Sequence, residues 1–462
     1  MTVHDPTPKL SRFSTYEEAY RDFKWLLPET FNIAEAVCSK HSDAATRLAL
    51  IEVKQGGSNT YTFGAIDFLS DKFAKVLKGR GIERGDRVAV ILPQSAALPI
   101  AHLAVLKLGA VVVPLTTLFG SAALEFRLRD SGARAVVVDH SLRGRVASMK
   151  ATLPDLNTIF IAGDAGERID NAPPEYDFWS EINSASSDLI PVETRSDTPA
   201  FILYTSGSTG DPKGAVHGHG FLLGHLTAIE MCYNFDFGDD TVFWTPVDWA
   251  WVGALFDSLY PAWYYGRPVV AHRPAKFSGG EAFAVIERCA VTNAFIPPTA
   301  LRIMKTDEPD PRSRFDLTLR NIFSGGEALT PEIYEWARET LGTSINEGYG
   351  QTEANMLVSN CERWFPARIG SMGRPAPGHT VEIIDEQGQI LPAGEVGSIA
   401  LLGPDPALFL GYLNNAEKTA AAFVGDWLLT GDVGLKDSDG YIWFRGRNDD
   451  LIKRLKSGTG QR

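Results

Sequence analysis

The amino-acid sequence predicts an α/β fold with two subdomains, each built on a parallel sheet, and a small β-rich subdomain after them. Two observations lead to this prediction. Short, nearly continuous apolar runs alternate with helix-like segments through most of the 462 residues, which is typical of strands buried on both faces of a parallel sheet. From about residue 370 the apolar segments become shorter and are separated by Gly, Pro and Asp, which is typical of hairpins.

The first part of the chain contains the first predicted sheet. Residues 1–30 are predicted to be an irregular lead-in, and 31–190 to form the first α/β subdomain. Its β-branched runs predict strands at 87–93, 109–115, 133–139 and 157–163. Helix-like periodicity predicts helices at 65–79 and 122–131, between these strands.

The second α/β subdomain is predicted over 191–369, after a connector rich in Ser, Asp, Pro and Thr. Its apolar runs predict strands at 200–204, 241–245, 268–271, 294–296, 321–323 and 344–347. The β-rich subdomain is predicted over 370–446, with strands at 379–385, 397–402 and 440–444. Residues 447–462 are predicted to be a hinge remnant and an atypical tail, of which 451–462 is basic and shows no packing pattern.

Composition and charge exclude several classes of protein. A hydrophobic fraction of 44% and a charged fraction of 22% are typical of a globular protein, not of a disordered or collagen-like one. The net charge of −13 argues against a nucleic-acid partner, which needs a basic face. Four widely spaced cysteines predict free buried thiols and a cytoplasmic location. The apolar stretch 96–115 contains Pro99, His102 and Lys107, so we predict a helix and a strand there rather than a membrane span.

The strongest local motif is the run YTSGSTGDPKG at 204–214, directly after an apolar strand. Its Gly, Ser and Thr residues let backbone N–H groups and hydroxyls converge on an anion, and Lys213 adds a mobile charge for phosphate. The loop is not a Walker A motif, because Pro212 precedes the lysine. A Walker-type kinase or ATPase is therefore the weakest alternative.

Three further motifs occur in order with this loop: SGGEAL at 324–329, EGYGQTE at 347–353, and TGD at 430–432, which is followed fifteen residues later by Arg447. Together they resemble the AMP-forming adenylate ligases, a family that includes the acyl-CoA synthetases, over roughly residues 30–453. The resemblance implies that the protein activates a small-molecule carboxylate with ATP and Mg²⁺ and then transfers the acyl group to coenzyme A. A carboxylate that attacks a polyphosphate meets charge repulsion, so such a site must neutralise and orient.

The same resemblance implies the site residues. It assigns the phosphate contacts to Thr205, Ser206, Gly207, Ser208, Thr209, Gly210 and Lys213. It assigns the adenine, ribose and α-phosphate contacts to Gly326, Glu327, Ala328, Glu347, Gly348, Tyr349, Gly350, Gln351, Thr352, Asp432 and Arg447. It assigns catalytic roles to Thr205, Lys213, Thr352 and Glu353, with Glu353 as the ligand of Mg²⁺.

The individual nucleotide contacts follow from side-chain chemistry once the family is assumed. Tyr349 would pack its ring on adenine, and Glu347 would accept a hydrogen bond from the adenine amino group. Asp432 would accept hydrogen bonds from both ribose hydroxyls. Arg447 would support the ribose, and Thr352 would contact the α-phosphate.

The acyl pocket is expected beside the aromatic run that begins at Trp244. By resemblance it would include Trp249, Trp251, Val252, Gly253 and Gly350, although two ordinary core tryptophans are an equally good explanation of Trp249 and Trp251. Gly350 stands where the acetate-specific branch has a bulky tryptophan. Its small size favours a medium-chain or aromatic acid over acetate.

The family pattern breaks after Lys453. Asp449 matches the hinge before a C-terminal domain, but the following residues depart from the family, and Gly458 stands where an arginine is expected. That domain would carry the adenylation lysine and part of the coenzyme A site. We therefore expect this sequence to bind nucleotide with weak or absent ligase activity.

Two other functions share most of these motifs. A catalytically silent ATP- or AMP-binding protein, a remnant or a regulator, would keep every motif before Lys453. Amino-acid adenylation uses the same loops, but Asp257 lies several residues too close to Gly266 to match the amino-binding aspartate of that group.

Overall fold

The computed structural model describes residues 6–41, 43–163, 174–205 and 211–448. Within these ranges the strands are β1 (Leu48–Lys54), β2 (Gly57–Thr62), β3 (Arg87–Ile91), β4 (Val111–Pro114), β5 (Ala135–Asp139), β6 (Thr158–Ala162), β7 (Glu175–Asp177), β8 (Pro199–Thr205), β9 (Lys213–Gly218), β10 (Phe243–Trp244), β11 (Val269–Ala271), β12 (Asn293–Phe295), β13 (Asn321–Gly325), β14 (Ser344–Gln351), β15 (Ala354–Ser359), β16 (Arg374–Pro375), β17 (Val381–Ile384), β18 (Val396–Leu402), β19 (Gly411–Tyr412), β20 (Phe423–Val424), β21 (Trp427–Lys436) and β22 (Ile442–Arg447).

The α-helices of the described ranges are α1 (Tyr16–Asp22), α2 (Phe63–Gly79), α3 (Ala97–Lys107), α4 (Ser121–Ser131), α5 (Arg143–Met149), α6 (Phe178–Ser184), α7 (Phe221–Cys232), α8 (Val252–Ala254), α9 (Tyr260–Tyr264), α10 (Gly279–Arg288), α11 (Pro298–Asp307), α12 (Pro331–Trp336) and α13 (Ala416–Ala421). Short 3-10 turns lie at Leu10–Arg12, His140–Leu142, Lys150–Thr152 and Pro311–Ser313, and π-helical turns at Glu35–Ser39, Leu255–Leu259 and Ala337–Leu341.

Two large sheets and one small sheet form the framework. The eight-stranded sheet has the order β19-β9-β8-β4-β3-β5-β6-β7, and the nine-stranded sheet has the order β16-β15-β14-β13-β12-β10-β11-β1-β2. The inner strand pairs of both are parallel, and antiparallel pairs lie toward the edges. A five-stranded sheet of β17, β18, β20, β21 and β22 is antiparallel. The predicted α/β class with a small β-rich subdomain is therefore confirmed.

The predicted boundary near residue 190 differs from the way the sheets divide the chain. Strands β1 and β2, from the first part of the chain, pair into the nine-stranded sheet through β11. Strands β8 and β9, which carry the phosphate-loop motif, belong to the eight-stranded sheet through β4. Sheet membership is decided by pairing between distant segments, so it does not follow the order of the chain.

The lead-in predicted as irregular contains helix α1. The hydroxyl of Thr15 accepts a hydrogen bond from the backbone N–H of Glu18, and the Glu18 carboxylate accepts one from the backbone N–H of Ser14. This is close to the reciprocal capping pattern of Thr-x-x-Glu, a signal visible in the sequence. The segment also anchors to the body of the protein, because the buried Glu230 accepts the backbone N–H groups of Lys9 and Leu10.

The main hydrophobic core joins the two large sheets. Helices α3 and α7 are apolar on nearly all sides, and every residue of both is buried, as expected for helices surrounded by protein. They belong to one cluster with Leu50 of β1 and Val88 of β3, one from each large sheet. All four cysteines are free and buried, as predicted. No helix in the described ranges is long and apolar enough to cross a membrane.

Candidate active site

The phosphate-loop motif lies at the turn of the β8–β9 hairpin. Thr205 is the last residue of β8 and Lys213 the first of β9, and the two are directly paired across the antiparallel hairpin. The strand pairing thus places a hydroxyl and an ammonium side by side at the neck of the loop. The loop residues between them that were predicted to contact phosphate, Ser206 to Gly210, lie outside the described residues.

Lys213 and Glu353 are linked by a side chain that the sequence motifs do not include. The ammonium of Lys213 lies 4.8 Å from the centre of the Tyr412 ring. The Tyr412 hydroxyl donates a hydrogen bond of 2.6 Å to Oε1 of Glu353. Tyr412 reaches this place because β19 pairs with β9, a contact between segments some 200 residues apart. No local signal identifies it.

The environment of Glu353 fits a magnesium ion. Its side chain is partly exposed, and one carboxylate oxygen is held by Tyr412. Within the described ranges no group of three or more His, Cys, Asp or Glu side chains could enclose a metal. Mg²⁺ needs no such cage, since it is commonly held by one or two carboxylates together with substrate phosphates and water. A single oriented carboxylate next to the phosphate loop therefore matches this ion.

Two side chains predicted to contact the nucleoside, Tyr349 and Arg447, both bind the carboxylate of a third, Asp432. The Tyr349 hydroxyl donates a hydrogen bond of 2.6 Å to Oδ2 of Asp432, and Nη1 of Arg447 donates one of 2.8 Å to Oδ1. Asp432 of β21 is paired directly with Arg447 of β22, and its carboxylate is buried. Burial raises the pKa of Tyr349 well above its usual value, so the phenol is a hydrogen-bond donor here.

Glu347 lies two residues before Tyr349 on β14, beside the SGGEAL segment. It is paired with Ser324 across β13 and β14, and Oε1 accepts a hydrogen bond of 3.4 Å from the backbone N–H of Leu329. Burial raises the pKa of Glu347 to about 7. The neighbouring residues 326–328 are exposed, which leaves their backbone accessible. The Glu327 side chain instead binds Thr299 and Arg302 of α11.

Two glycines in this hairpin are required by close packing. A Cβ on Gly348 would lie 2.7 Å from the Phe323 ring, and a Cβ on Gly350 would lie 2.1 Å from the backbone nitrogen of Met356. The reason for glycine at position 350 is thus the approach of the opposite strand. The expectation that its small size favours a medium-chain or aromatic acid over acetate stays a prediction. Gln351 pairs with Ala354 at the tip of the hairpin, next to Thr352 and Glu353.

The aromatic run divides into a buried and an exposed part. Trp249 is fully buried in the main core, whereas Trp251 is 43% exposed and packs edge-on against Phe119. Val252 and Gly253 are partly exposed, so they and Trp251 are accessible from solvent. Asp248 accepts hydrogen bonds from the Thr116 hydroxyl (2.5 Å) and from the backbone N–H of Ala250 (2.9 Å), and so holds this turn.

The structure therefore brings the predicted residues together in two groups. Lys213 and Glu353 lie around Tyr412, with Thr205 paired to Lys213, and Tyr349 and Arg447 lie around Asp432. The run 347–353 connects the groups, because Tyr349 belongs to one and Glu353 to the other. The predicted hinge residue, Asp449, lies outside the described residues.

Comparisons with known proteins identify the family of this chain. The family described as AMP-binding enzyme matches residues 36–413. The human mitochondrial acyl-coenzyme A synthetase ACSM4 is 34% identical over 441 residues, which cover 92% of this chain and 74% of the relative. Mouse mitochondrial ACSM3 is 33% identical over 462 residues, which cover 96% of this chain and 77% of the relative.

Two solved structures share the fold over most of their length. An acyl-CoA synthetase from Brucella canis has a TM-score of 0.85 at 28% identity, covering 95% of this chain and 80% of its own. The anthranilate CoA ligase AuaEII, in complex with anthranoyl-AMP, has a TM-score of 0.83 at 27% identity, covering 92% of this chain and 79% of its own.

Proposed function

Because the chain belongs to the AMP-binding enzyme family and is, by family, an AMP-forming acid–CoA ligase, we propose that it activates a medium-chain or aromatic carboxylic acid. The acid would be converted by ATP into an acyl-adenylate and pyrophosphate. The thiol of coenzyme A would then take the acyl group and release AMP.

The observation that carries this proposal is the position of the 347–353 run between two groups of polar side chains. At one end, Tyr349 contacts Asp432, a buried carboxylate suited to a ribose diol. At the other end, Glu353 contacts Tyr412, whose ring lies under the Lys213 ammonium. A nucleotide has the same division into a nucleoside and a phosphate chain. One short hairpin therefore sets the distance between the two subsites.

The first step needs charge neutralisation more than it needs a base. The acid's carboxylate oxygen attacks the α-phosphorus, the bond from that phosphorus to the bridging oxygen breaks, and pyrophosphate leaves with the electron pair. Lys213, at the neck of the loop, would offset the phosphate charge. The hydroxyls of Thr205 and Thr352 would donate hydrogen bonds to the phosphate oxygens. Mg²⁺ bound through Glu353 would supply further neutralisation.

The second step exchanges one acyl bond for another. The sulfur of coenzyme A attacks the acyl carbon, the thiol proton passes to water, and the bond from the acyl carbon to the phosphate oxygen breaks, so that AMP leaves with the electron pair. AMP is a good leaving group because its charge is spread over the phosphate. Asp432 and Arg447 would hold the ribose in place through both steps, which keeps the acyl carbon in one position.

The side chains near Gly253 support an apolar or aromatic acyl group. The Phe295 ring lies 3.1 Å from where a Cβ on Gly253 would be, and it stacks on Phe323 at 4.8 Å between centroids. These rings lie on adjacent parallel strands, β12 and β13. AuaEII, which shares the fold, was solved with an aromatic acyl-adenylate. A ring-bearing or medium-chain acid would bury apolar surface against these groups.

Binding of non-hydrolysable acyl-sulfamoyl-adenosines tests the proposal without requiring turnover. Acetyl, butyryl, octanoyl and benzoyl analogues would be titrated calorimetrically, with AMP as reference. We expect the octanoyl or benzoyl analogue to bind at least about tenfold more tightly than AMP and than the acetyl analogue. Equal binding of all analogues and AMP would instead support a silent nucleotide binder, and tightest binding of the acetyl analogue would contradict the acyl class.

Carboxylate-dependent exchange of pyrophosphate into ATP tests the chemistry itself. The same four acids would be used. Exchange is expected to be slow in this sequence, so the acids are compared by rank, and the acid whose analogue binds most tightly should give the fastest exchange. A Lys213→Ala variant serves as a control, since it removes the charge at the loop neck and should lower exchange in every case. Exchange that does not depend on the added acid would count against a carboxylate ligase.

A further inference from the structure

The carboxyl group of Asp257 is buried without a cationic partner. Asp257 lies in the π-helical turn Leu255–Leu259 and is 3% exposed. Nδ2 of Asn355 donates a hydrogen bond of 2.5 Å to Oδ1. Within the described ranges no other side chain is hydrogen-bonded to this carboxyl group, and no Lys, Arg or His forms an ion pair with it. Burial raises its pKa well above the usual value.

This carboxyl group borders the proposed acyl pocket. Its Oδ2 lies 3.1 Å from where a Cβ on Gly253 would be, at the same distance as the Phe295 ring. Gly253 is partly exposed, so the carboxyl group lies next to a residue that solvent can reach. Asn355, on the other side, is two residues beyond Glu353 in the catalytic hairpin. Asp257 thus lies between the pocket segment and the nucleotide-binding run.

A buried carboxyl group at this position lowers the stability of the fold if its only role is packing. Burial of a polar group is unfavourable unless its hydrogen bonds are made, and one amide satisfies only part of a carboxyl group's capacity. A leucine or asparagine would fill a similar volume at lower cost. Turns of the π type inside helices are also frequent at functional sites. The unmet capacity of Oδ2, beside a glycine, is what a polar ligand group would use.

We propose that Asp257 determines substrate specificity through a hydrogen bond between its Oδ2 and an amino or hydroxyl substituent on the acyl group. This inference rests on the proposed function and narrows its substrate class to carboxylic acids that carry such a substituent on a ring or chain. The apolar part of the acid would lie against Phe295. The polar substituent would reach past Gly253 to the carboxyl group.

Matched acyl-sulfamoyl-adenosines test this inference on the full chain by calorimetry. The ring series would compare aminobenzoyl and hydroxybenzoyl analogues with the corresponding methylbenzoyl ones, at each ring position. The chain series would compare hydroxyoctanoyl isomers with methyl-substituted octanoyl ones. We expect at least one amino or hydroxyl analogue to bind at least about tenfold more tightly than its methyl match, because a site built for a hydrogen bond rejects the analogue that lacks it.

Two variants separate recognition from structural support. Asp257→Leu removes the carboxyl group, and we expect the preference over the methyl match to fall to about one while AMP binding stays within about twofold. Gly253→Ala leaves the carboxyl group in place but puts a methyl group over Oδ2. Gly253→Ala should weaken the binding of the polar analogue more than that of the methyl analogue. This variant keeps the test valid if Asp257→Leu does not fold.

Two results would overturn the inference. One is the absence of any tenfold preference for a polar analogue in the wild-type protein. The other is an equal loss of affinity for AMP, polar and methyl analogues in Gly253→Ala, or in a folded Asp257→Leu. Either result can occur while benzoyl or octanoyl analogues still bind more tightly than AMP, and then the proposed function stands. If no acyl analogue binds more tightly than AMP, the proposed function itself fails.

Discussion

Tyr349 and Asp432, which are 83 residues apart in the chain, are joined by a 2.6 Å hydrogen bond from the phenol to Oδ2. Arg447 holds the other oxygen of the same carboxylate. The orientation of Asp432 is therefore fixed before any nucleotide arrives, which lowers the entropy lost on binding. It also couples the side chain expected to face adenine with the one expected to face ribose. A substitution of Tyr349 or of Asp432 should therefore weaken both the adenine contact and the ribose contact.

Substituting Asp432 tests the ribose contact. Asp432→Asn keeps the shape but removes the charge that strengthens hydrogen bonds to a diol and to Arg447. We expect AMP affinity to fall about 10- to 100-fold, measured by calorimetry. Asp439→Asn is the matched control, since Asp439 is an exposed residue of the same small subdomain that pairs with Arg368. Equal AMP affinity in the two variants would contradict the assigned role.

Substituting Tyr412 tests the support of Glu353. Tyr412→Phe keeps the ring beneath Lys213 but removes the hydroxyl that orients the carboxylate. Because groups that orient a metal ligand often change metal affinity 10- to 100-fold, we expect the Mg²⁺ concentration needed for half-maximal ATP binding to rise about tenfold. Metal-free AMP binding should not change. Tyr334→Phe, which removes a hydroxyl bound to Glu362, should leave the Mg²⁺ titration unchanged.

Substituting Glu347 tests the effect of its burial on stability. Its pKa of about 7 exceeds the value of about 4.3 for an unfolded chain, so the folded protein binds the proton more tightly. The contribution of Glu347 to the free energy of unfolding is then complete below about pH 4 and is lost as the pH rises to 7. We expect Glu347→Gln to be more stable than wild type at pH 8, by roughly 3 kcal/mol.

Thermal unfolding at pH 5 and pH 8 measures this difference. The gain in midpoint from Glu347→Gln should be larger at pH 8 than at pH 5. Glu335→Gln, at an exposed glutamate of α12, is the control, and its change in midpoint is measured at the same two pH values. If the two variants have parallel pH profiles, the carboxyl group of Glu347 is not destabilised by burial.

Substituting Gly350 tests the packing of the hairpin. The Cβ introduced by Gly350→Ala would lie 2.1 Å from the Met356 nitrogen, a backbone atom that cannot move aside without disturbing the strand. We expect a loss of at least about 2 kcal/mol of stability and weaker AMP binding, seen in thermal unfolding and calorimetry. Gly144→Ala, in helix α5 where a Cβ meets nothing within 4 Å, should be neutral or stabilising. Comparable stability of the two variants would show that the hairpin is not tightly packed.

Local sequence was sufficient to predict elements with continuous apolar character. The run AVVVD forms β5, and the strand predicted at 133–139 is found at Ala135–Asp139. Strand β1 was missed, because Glu52 and Lys54 interrupt the apolar run of LALIEVK and its parallel partner, β11, lies far along the chain. The assignment of strands to sheets was also missed, since a strand's own residues do not identify its neighbour.

The site residues also differ in whether the local sequence identifies them. Some lie in recognisable motifs, and others reach the site only through contacts between distant segments. Resemblance placed Asp432 and Arg447 at one subsite, and the structure shows their side chains hydrogen-bonded to each other. Tyr412 was not predicted, because its position depends on the pairing of β19 with β9 and on the direction of one hydroxyl. Asp257 was weighed only by its spacing to Gly266. Its burial beside Gly253 depends on how the helix packs against the hairpin, which spacing cannot show.

The early position of β1 and β2 has a consequence for biosynthesis. β1 lies between β2 and β11 in the finished sheet, but β11 begins only at Val269. At ribosomal rates of about 5–20 residues per second, the newly made hairpin waits on the order of 10–40 s for its parallel partner. During that interval one edge of an apolar strand has unpaired backbone groups, which other nascent chains can pair with. Slowing translation between these segments should therefore increase aggregation and chaperone demand.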